Sequence, residues 1–404
     1  MKFGRVMPPA AAPVLLRDIA AGIAGQFRGD KELERFKTEL RHVFKAKYCF
    51  CVSSGKTALY CILKALHELH PDRDEAVLPA FNCYCVASAV LRAGLRVRLC
   101  DVDADTLDFD LAALKDELDK NKKLLCVVPT HLFGLHAHVK NLIPLMRDRS
   151  IRIVEDAAQV MGCSEKGTML GLQGDVGFFS LGRGKAVSTC EGGVIVTNDE
   201  AIGKAVDRIV ATLPRYTFVE LAVLLFKTCL IALFSHPSLF WIPKGLPFLG
   251  LGGTYFDSDF PLRSMSAFQA GLSNGWEKKL KRYRNTRNEN SAKWVSFFKD
   301  NGLDRYFPYA NNASSLPDLL RFPVKMPDAE ACAETIRESD RRGLGITITY
   351  PLPLHELPEL AGRTSGDFPV AKECASRIVT LPIHPYVAET DMEKIKQLFK
   401  KAGA

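Results

Sequence analysis

The chain has 404 residues, 47% of them hydrophobic, and its 54 basic residues exceed its 46 acidic residues by eight. This length and apolar content can fill the cores of one large and one smaller domain, which excludes a disordered chain. Twelve cysteines spread over such a length are unlike the dense framework of a small secreted domain, so we expect reduced thiols and a cytoplasmic protein. The positive charge favours anionic ligands.

Short β-rich runs alternate with helical patterns from about residue 45 to residue 200, as is typical of βαβ units and a mostly parallel sheet. The predicted strands are residues 47–52, 76–78, 96–102, 124–129, 151–155, 176–181 and 193–197. The predicted helices are residues 56–69, 86–93 and 139–147. The two C-x-C pairs of this region, Cys49/Cys51 and Cys83/Cys85, lack the second ligand pair of a zinc site, so we predict no metal.

An apolar segment follows at residues 217–242. Glu220, Lys227 and Pro237 interrupt it before it reaches the roughly 18 apolar residues of a membrane-spanning helix. One interpretation is a helix that is buried or that faces the second subunit of a dimer. The other is a peripheral membrane contact, because the segment is apolar and Arg215 flanks it.

The remaining sequence predicts a second unit. A polar helix begins near residue 266 and runs past residue 284; its basic side chains indicate a solvated face and not a nucleic-acid interface. Strands are predicted at residues 319–324 and 346–349, and a last helix at 389–401. We therefore expect a large domain at 1–265, with an N-terminal arm and an apolar insertion near 215–253, and a linking helix with a small α/β domain at 266–404.

The first stretch with chemical potential is Ser54-Gly55-Lys56, where a strand passes into a helix. The first N–H groups of a helix and its positive dipole end bind anions. The stretch also resembles the end of a P-loop, G-x-x-x-x-G-K-[ST], but Phe50 occupies the position of the first glycine. We therefore reject a nucleoside-triphosphate site here.

The second stretch is Glu155-Asp156 at the end of a predicted buried strand. Ligands of open α/β sheets bind at the carboxyl edge of the strands, which places Asp156 near such a site. The alternative is that Asp156 caps a following helix. The stretch by itself leaves both open.

The third stretch places Lys185 in a glycine-flanked loop between two apolar strands, with Ser180 at the end of the first strand. Partial desolvation there would favour the nucleophilic amine over the ammonium. The hydroxyl of Ser180 could face an anion.

Taken together, these motifs resemble the DegT/DnrJ/EryC1/StrS family of pyridoxal 5'-phosphate (PLP) enzymes, chiefly sugar aminotransferases. The family-like stretches are Ser54-Gly55, Asp101-Val102-Asp103, His131-Leu132-Phe133-Gly134, Glu155-Asp156-Ala157-Ala158-Gln159, Gly174-Asp175, Phe179-Ser180 with Lys185, Glu191-Gly192-Gly193, Met265-Ser266 with Gln269-Ala270, and Leu381-Pro382 with His384-Pro385. The resemblance extends from about residue 30 to the end.

The resemblance implies the PLP-dependent transferase fold type I, a homodimer with shared active sites, and transfer of an amino group from an amino acid, typically glutamate, to a keto-sugar nucleotide. It implies that Lys185 is the catalytic residue and carries PLP as a Schiff base, and that Asp156 pairs with the pyridine nitrogen. Gln159 would lie near the 3'-oxygen. The phosphate would be held by Ser54, Gly55, Lys56 and Ser180.

The sequence departs from the family pattern at four places. Lys56 stands where Thr is more common, and Cys83 stands where an aromatic ring usually covers the cofactor; Phe81 or Tyr84 could replace that ring. Leu262-Arg263-Ser264 replaces the usual Asn-aromatic-Arg, and the apolar insertion is unlike typical members. Two alternatives to the transaminase therefore stay open: a membrane-associated or catalytically altered member of the fold, and a PLP-dependent sugar dehydratase, which uses His in place of the lysine.

Overall fold

The computed structural model describes residues 4–147, 149–246, 254–307, 309 and 316–402. The helices of the described chain are α1 (Leu16–Arg28), α2 (Asp30–Phe44), α3 (Gly55–Leu69), α4 (Tyr84–Arg92), α5 (Leu111–Lys120), α6 (Val139–Arg147), α7 (Glu200–Ala211), α8 (Phe218–Phe234), α9 (Trp241–Lys244), α10 (Ala267–Leu272), α11 (Trp276–Asp300), α12 (Ala329–Arg342), α13 (Pro369–Arg377) and α14 (Glu389–Ala402). The strands are β1 (Tyr48–Val52), β2 (Glu75–Pro79), β3 (Arg96–Cys100), β4 (Leu124–Val127), β5 (Arg152–Asp156), β6 (Ser164–Glu165), β7 (Thr168–Met169), β8 (Val176–Ser180), β9 (Gly193–Thr197), β10 (Phe322–Lys325) and β11 (Ile378–Leu381).

A seven-stranded sheet in the order β1-β9-β8-β5-β4-β2-β3 forms the centre of the molecule. β9 runs antiparallel to β1 and β8, and the other neighbouring strands pair in parallel. The predicted α/β fold with a large, mostly parallel sheet is thereby confirmed. β5 and β8 pair Asp156 with Phe178, so both strands end at the same edge of the sheet.

The sheet is covered on both faces, which explains its continuous apolar strands. Successive side chains of a strand point to opposite faces. In β2, Ala76 and Leu78 join the core that contains Leu59 of α3, whereas Val77 joins the core that contains Leu114 of α5. The helices therefore hold the sheet from both sides and fix its carboxyl edge.

The second part of the chain differs from the prediction in two elements. The long helix expected from residue 266 is broken between α10 and α11, because Gly275 adopts the left-handed region at φ 66° and begins a new helix. The strand predicted at residues 346–349 is wrong, since this stretch makes only the isolated bridge Thr347↔Thr380. β10 instead pairs antiparallel with β11. The division of the chain at residue 265 stays a prediction.

Helix α8 occupies most of the apolar segment. Thr217 and Glu220 form a capping box at its N-terminus, and within the helix only Leu224 and Thr228 are buried. Phe218 and Phe226 are 86% and 64% exposed, so α8 is not buried within the chain, and the interpretation that it faces a second subunit stays a prediction. No described helix is long and apolar enough to cross a membrane. Residues 247–253 of the predicted insertion lie outside the described residues.

Candidate active site

The turn before α3 forms a tight cradle against β8 and β9. Ser54 caps the helix, its Oγ accepting from the Thr57 N–H at 3.1 Å. A Cβ on Gly55 would lie 3.0 Å from the Cβ of Ser180, and a Cβ on Gly193 would lie 2.2 Å from the Ser54 carbonyl oxygen. Position 193 therefore requires glycine, and a side chain at position 55 would press on Ser180. The arrangement brings Ser54, Gly55 and Ser180 together beside a helix N-terminus, where an anion is favoured.

Asp156 ends β5 as a buried carboxylate. Its Oδ1 accepts from the Ala158 N–H at 3.0 Å. Burial raises the pKa of Asp156, and the positive charge of Lys185 partly offsets that rise. The residues that follow form turns and no helix, so the alternative that Asp156 caps a helix is wrong. The carboxyl group is available for a cationic partner.

Glu155, the neighbouring acid, has a different environment. Its carboxylate accepts from the backbone N–H groups of Gly171, Gln173 and Gly174, the first at 2.8 Å and the last at 2.6 Å. The Nε2 of His131 lies 3.1 Å from its Oε2. Glu155 therefore holds the loop before β8, and Asp156 is left for the site.

Lys185 lies in the loop between β8 and β9. Its backbone N–H donates to the Gly182 carbonyl at 3.3 Å, and its side chain is partly buried. The Lys185 charge opposes the rise in the pKa of Asp156 and acts in the same direction on the thiols of Cys83 and Cys85. The amine, the carboxylate and the two thiols thus belong to one site.

Cys83 and Cys85 lie at the start of α4. The hydrogen bond from Cys83 is the largest cause that lowers the pKa of Cys85 to about 7; burial opposes it, and the charges of Lys56 and Lys185 assist it. The same hydrogen bond and burial raise the pKa of Cys83. The pKa of Cys85 is therefore lowered, which favours the thiolate at this position.

The ammonium of Lys56 has other partners. Its Nζ donates to Asp257 Oδ2 at 2.7 Å and stands 4.6 Å from the centre of the Phe260 ring. A part of the Lys56 charge is neutralised by this pair. The role of Lys56 toward a phosphate stays a prediction.

Gln159 is held by two aromatic residues. Its Oε1 accepts from the Phe133 N–H at 3.2 Å, and its Nε2 donates to the Tyr350 hydroxyl at 3.4 Å. The rings of Phe133 and Tyr350 stack at 5.8 Å, and Phe81 packs against Tyr350 at 5.9 Å. The Tyr84 hydroxyl instead donates to the Leu352 carbonyl at 3.0 Å. The amide of Gln159 is therefore fixed at one side of the site.

Two residues near the site were missed by the sequence reasoning. Tyr350 contacts Gln159 as described, and the charge of Arg321 acts on Tyr350. Both had a signal in the sequence: Arg321 is a charged residue within the predicted apolar strand 319–324, and Tyr350 is an aromatic residue directly after the predicted strand 346–349.

These residues fit pyridoxal 5'-phosphate by their chemistry. The glycine-requiring turn beside Ser180 suits a phosphate. The buried Asp156 carboxylate suits a cationic ring nitrogen, and the charge of Lys185 reaches that carboxylate. A lysine amine whose charge reaches that carboxylate is the kind of group that condenses with an aldehyde.

The comparisons with known proteins agree with this site. The model of the DegT/DnrJ/EryC1/StrS aminotransferase family matches residues 19–212 and 262–400, so the unmatched residues 213–261 contain the apolar insertion. The UDP-N-acetyl-3-dehydro-alpha-D-glucosamine 3-aminotransferase of Acidithiobacillus ferrooxidans is 25% identical over 86% of this chain and 82% of its own length. These matches support the predicted class of enzyme, an aminotransferase.

Two further matches concern how much of a relative's length this chain covers and which fold it shares. A GDP-perosamine synthase of Vibrio cholerae is 27% identical over 172 residues, so this chain spans 46% of that relative's length. PseC of Helicobacter pylori, an aminotransferase involved in pseudoaminic acid biosynthesis, has a TM-score of 0.77 at 16% identity, covering 98% of this chain and 99% of that one; at this identity the likeness concerns the fold. On the family match over most of its length, the chain belongs to the DegT/DnrJ/EryC1/StrS aminotransferase family.

Proposed function

We propose that the protein is a PLP-dependent aminotransferase that moves an amino group from an amino acid, typically glutamate, to a keto-sugar nucleotide. The observation that carries the proposal is the buried carboxylate of Asp156 at the carboxyl edge of the sheet, which the charge of Lys185 reaches. Asp156 is only 4% exposed, and in the described structure Lys185 forms no salt bridge to it. Packing alone does not explain a buried acid without such a partner. A catalytic site explains it.

The roles follow from the positions. Bound PLP supplies an electron-accepting ring that stabilises negative charge on the reacting carbon of the substrate. Asp156 would keep a proton on the ring nitrogen, and the Lys185 Nζ would carry the cofactor and then move a proton at the reacting carbon. Ser54, Gly55, Lys56 and Ser180 would hold the phosphate. The Gln159 amide would donate to the 3'-oxygen.

The acceptor class rests on the relatives. The protein from A. ferrooxidans is named as an aminotransferase of a UDP-linked 3-dehydro-sugar, and we extend that class, not that compound, to this chain. The dehydratase alternative uses His at the lysine position, and this chain has Lys185 there. We therefore favour transamination.

We further propose a homodimer, as the family resemblance implies. α8 and the neighbouring α1 leave apolar side chains in solvent: Phe218 and Phe226 on α8, and Leu16 and Phe27 on α1 at 82% and 88% exposure. A second subunit would remove this surface from water. Peripheral contact of residues 217–242 with a membrane is the second candidate, favoured by the same exposed phenylalanines.

One experiment tests the enzymatic proposal. The purified holoprotein should show the visible absorbance of bound cofactor, glutamate should bleach it, and a keto-sugar nucleotide should restore it. Lys185→Ala should abolish the cycle. A protein whose absorbance responds to no amino acid donor would contradict the proposal.

A second experiment concerns the apolar surface. Light scattering should give twice the mass of one chain, and Phe218→Ser with Phe226→Ser should shift it toward one chain if a second subunit covers the surface. Flotation with liposomes that depends on the same two phenylalanines would instead support the membrane contact.

A further inference from the structure

The guanidinium of Arg321 lies beside the site without a counter-ion. Its Nη1 donates to Thr349 Oγ1 at 3.2 Å, and its backbone N–H donates to the Phe133 carbonyl at 3.3 Å. Within the described ranges, no Asp or Glu forms an ion pair with it, whereas Arg5, for example, pairs with Asp391 at 2.6 Å. Taking a cation out of water without an anion is costly. An anion is therefore expected from outside the chain.

Arg321 shares its neighbours with Gln159. Phe133 accepts from the Arg321 backbone and donates to the Gln159 side chain. Tyr350 accepts from Gln159, and Arg321 contributes to lowering the pKa of the Tyr350 hydroxyl, which burial raises. The guanidinium thus belongs to the side of the site that Gln159 and Tyr350 form.

One other guanidinium of the described chain is perturbed in the same way. Burial lowers the pKa of Arg287 to about 10, and it lowers the pKa of Arg321 as well. The charge of Asp318 acts on Arg287, whereas no carboxylate of the described chain is among the groups that shift the pKa of Arg321. Arg321 retains intermediate exposure and can be reached.

We propose that Arg321 binds the α-carboxylate of the amino acid donor. The inference rests on the proposed transaminase function and deepens it by assigning a donor subsite. A planar guanidinium matches a carboxylate through two parallel hydrogen bonds. Thr349 and the Phe133 carbonyl hold the arginine in place. Within the described residues, its Nε and Nη2 donate to no acceptor, so these groups remain for the ligand.

The diphosphate of the acceptor is a second source of oxygen anions. It is separated from the reacting carbon by the sugar ring, so its anchor belongs far from the cofactor. The α-carboxylate is attached directly to the carbon that reacts, so its anchor must lie close to the cofactor groups. Arg321, which shares Phe133 and Tyr350 with Gln159, meets the second requirement.

The test uses the holoenzyme and three variants: Arg321→Met, Arg321→Lys and Arg305→Gln. Arg305 is an exposed arginine that also precedes β10 in sequence, and it serves as the matched control. Bleaching of the cofactor absorbance is followed against glutamate concentration, and its return is followed against the keto-sugar nucleotide. The unreactive dicarboxylate glutarate is titrated separately, with the melting temperature as the readout.

We expect Arg321→Met to raise the apparent glutamate dissociation constant by about 10- to 100-fold, because a charged hydrogen-bond pair is lost. Arg321→Lys should recover part of this loss, and Arg305→Gln should behave as wild type. The apparent dissociation constant for the keto-sugar nucleotide, read from the return of the absorbance, should change by less than about threefold. Glutarate should raise the melting temperature of wild type and of Arg305→Gln but not of Arg321→Met.

Two results would overturn the inference. Arg321→Met could melt at a lower temperature and keep the wild-type glutamate constant, which would show a merely structural arginine. Arg321→Met could instead raise only the apparent dissociation constant for the keto-sugar nucleotide, which would assign the arginine to the diphosphate. A wild type that never responds to an amino donor would contradict the proposed function, and glutarate binding would still test the carboxylate subsite by itself.

Discussion

Gly55 and Ser180 approach each other so closely that a methyl group on the glycine would lie 3.0 Å from the serine Cβ. Gly55→Ala should therefore push the helix N-terminus and the Ser180 hydroxyl apart and weaken PLP binding by about 10- to 100-fold. Stability of the cofactor-free fold should hold, because alanine favours a helix more than glycine does. Titration of the cofactor absorbance measures the affinity; an unchanged affinity with an unchanged melting temperature would refute the cradle.

Asp156 and Glu155 offer a matched pair of substitutions. Asp156→Asn keeps an acceptor for the Ala158 N–H but removes the negative charge, so the rate should fall by about 10²- to 10³-fold while the melting temperature is kept. Glu155→Gln should instead lower the melting temperature, because the Glu155 carboxylate accepts from several backbone N–H groups. Rate and melting curves on both variants check this, and equal effects of the two would contradict the assigned roles.

Cys85 should react as a thiolate near neutral pH. Since the hydrogen bond from Cys83 and the two lysine charges lower its pKa to about 7, alkylation of the cofactor-free protein should accelerate about tenfold per pH unit below that value and level off above it. Cys83→Ser should move the plateau, because the thiol donor is replaced. Mass spectrometry resolves Cys85 from the exposed Cys229. A rate that still rises steeply above about pH 8 would contradict the assignment.

His384 should make the fold sensitive to acid. Burial is the largest cause that lowers its pKa to about 4, and the charges of Arg321 and Arg287 add to it. The folded pKa lies below the unfolded value, so the unfolded chain binds the proton first and stability falls as the pH drops from about 6.5 toward 4. By about pH 4.5 the loss from this group should be about 2 to 3 kcal/mol.

Urea unfolding of His384→Gln checks that loss. The glutamine amide nitrogen reaches about as far as His384 Nε2, which lies 2.8 Å from the Pro8 carbonyl oxygen. The variant should lack this component of the pH dependence. If the free energy of unfolding fell with pH equally in wild type and variant, other groups would cause the acid sensitivity.

The strands of the large sheet could be predicted because each is buried on both faces and reads as an apolar run, as Leu124–Val127 does. The site motifs could be predicted because turn, acid and lysine each follow a strand end. The stretch at residues 346–349 failed because its single bridge to Thr380 depends on β11, which the pattern did not reveal.

Arg321 and Tyr350 reach the site from residues more than a hundred positions away from Lys185, and only the folded chain brings them there. The exposure of α8 also could not be read from sequence. A helix that is apolar on all sides has no periodicity to distinguish a buried face from one that awaits a partner.

The central claim is that the Lys185 amine carries the cofactor. Borohydride reduction of the holoprotein, followed by peptide mass spectrometry, tests it directly. We predict a pyridoxyl adduct on Lys185 and loss of the adduct in Lys185→Ala. An adduct on Lys56 instead, or none on Lys185, would contradict the account.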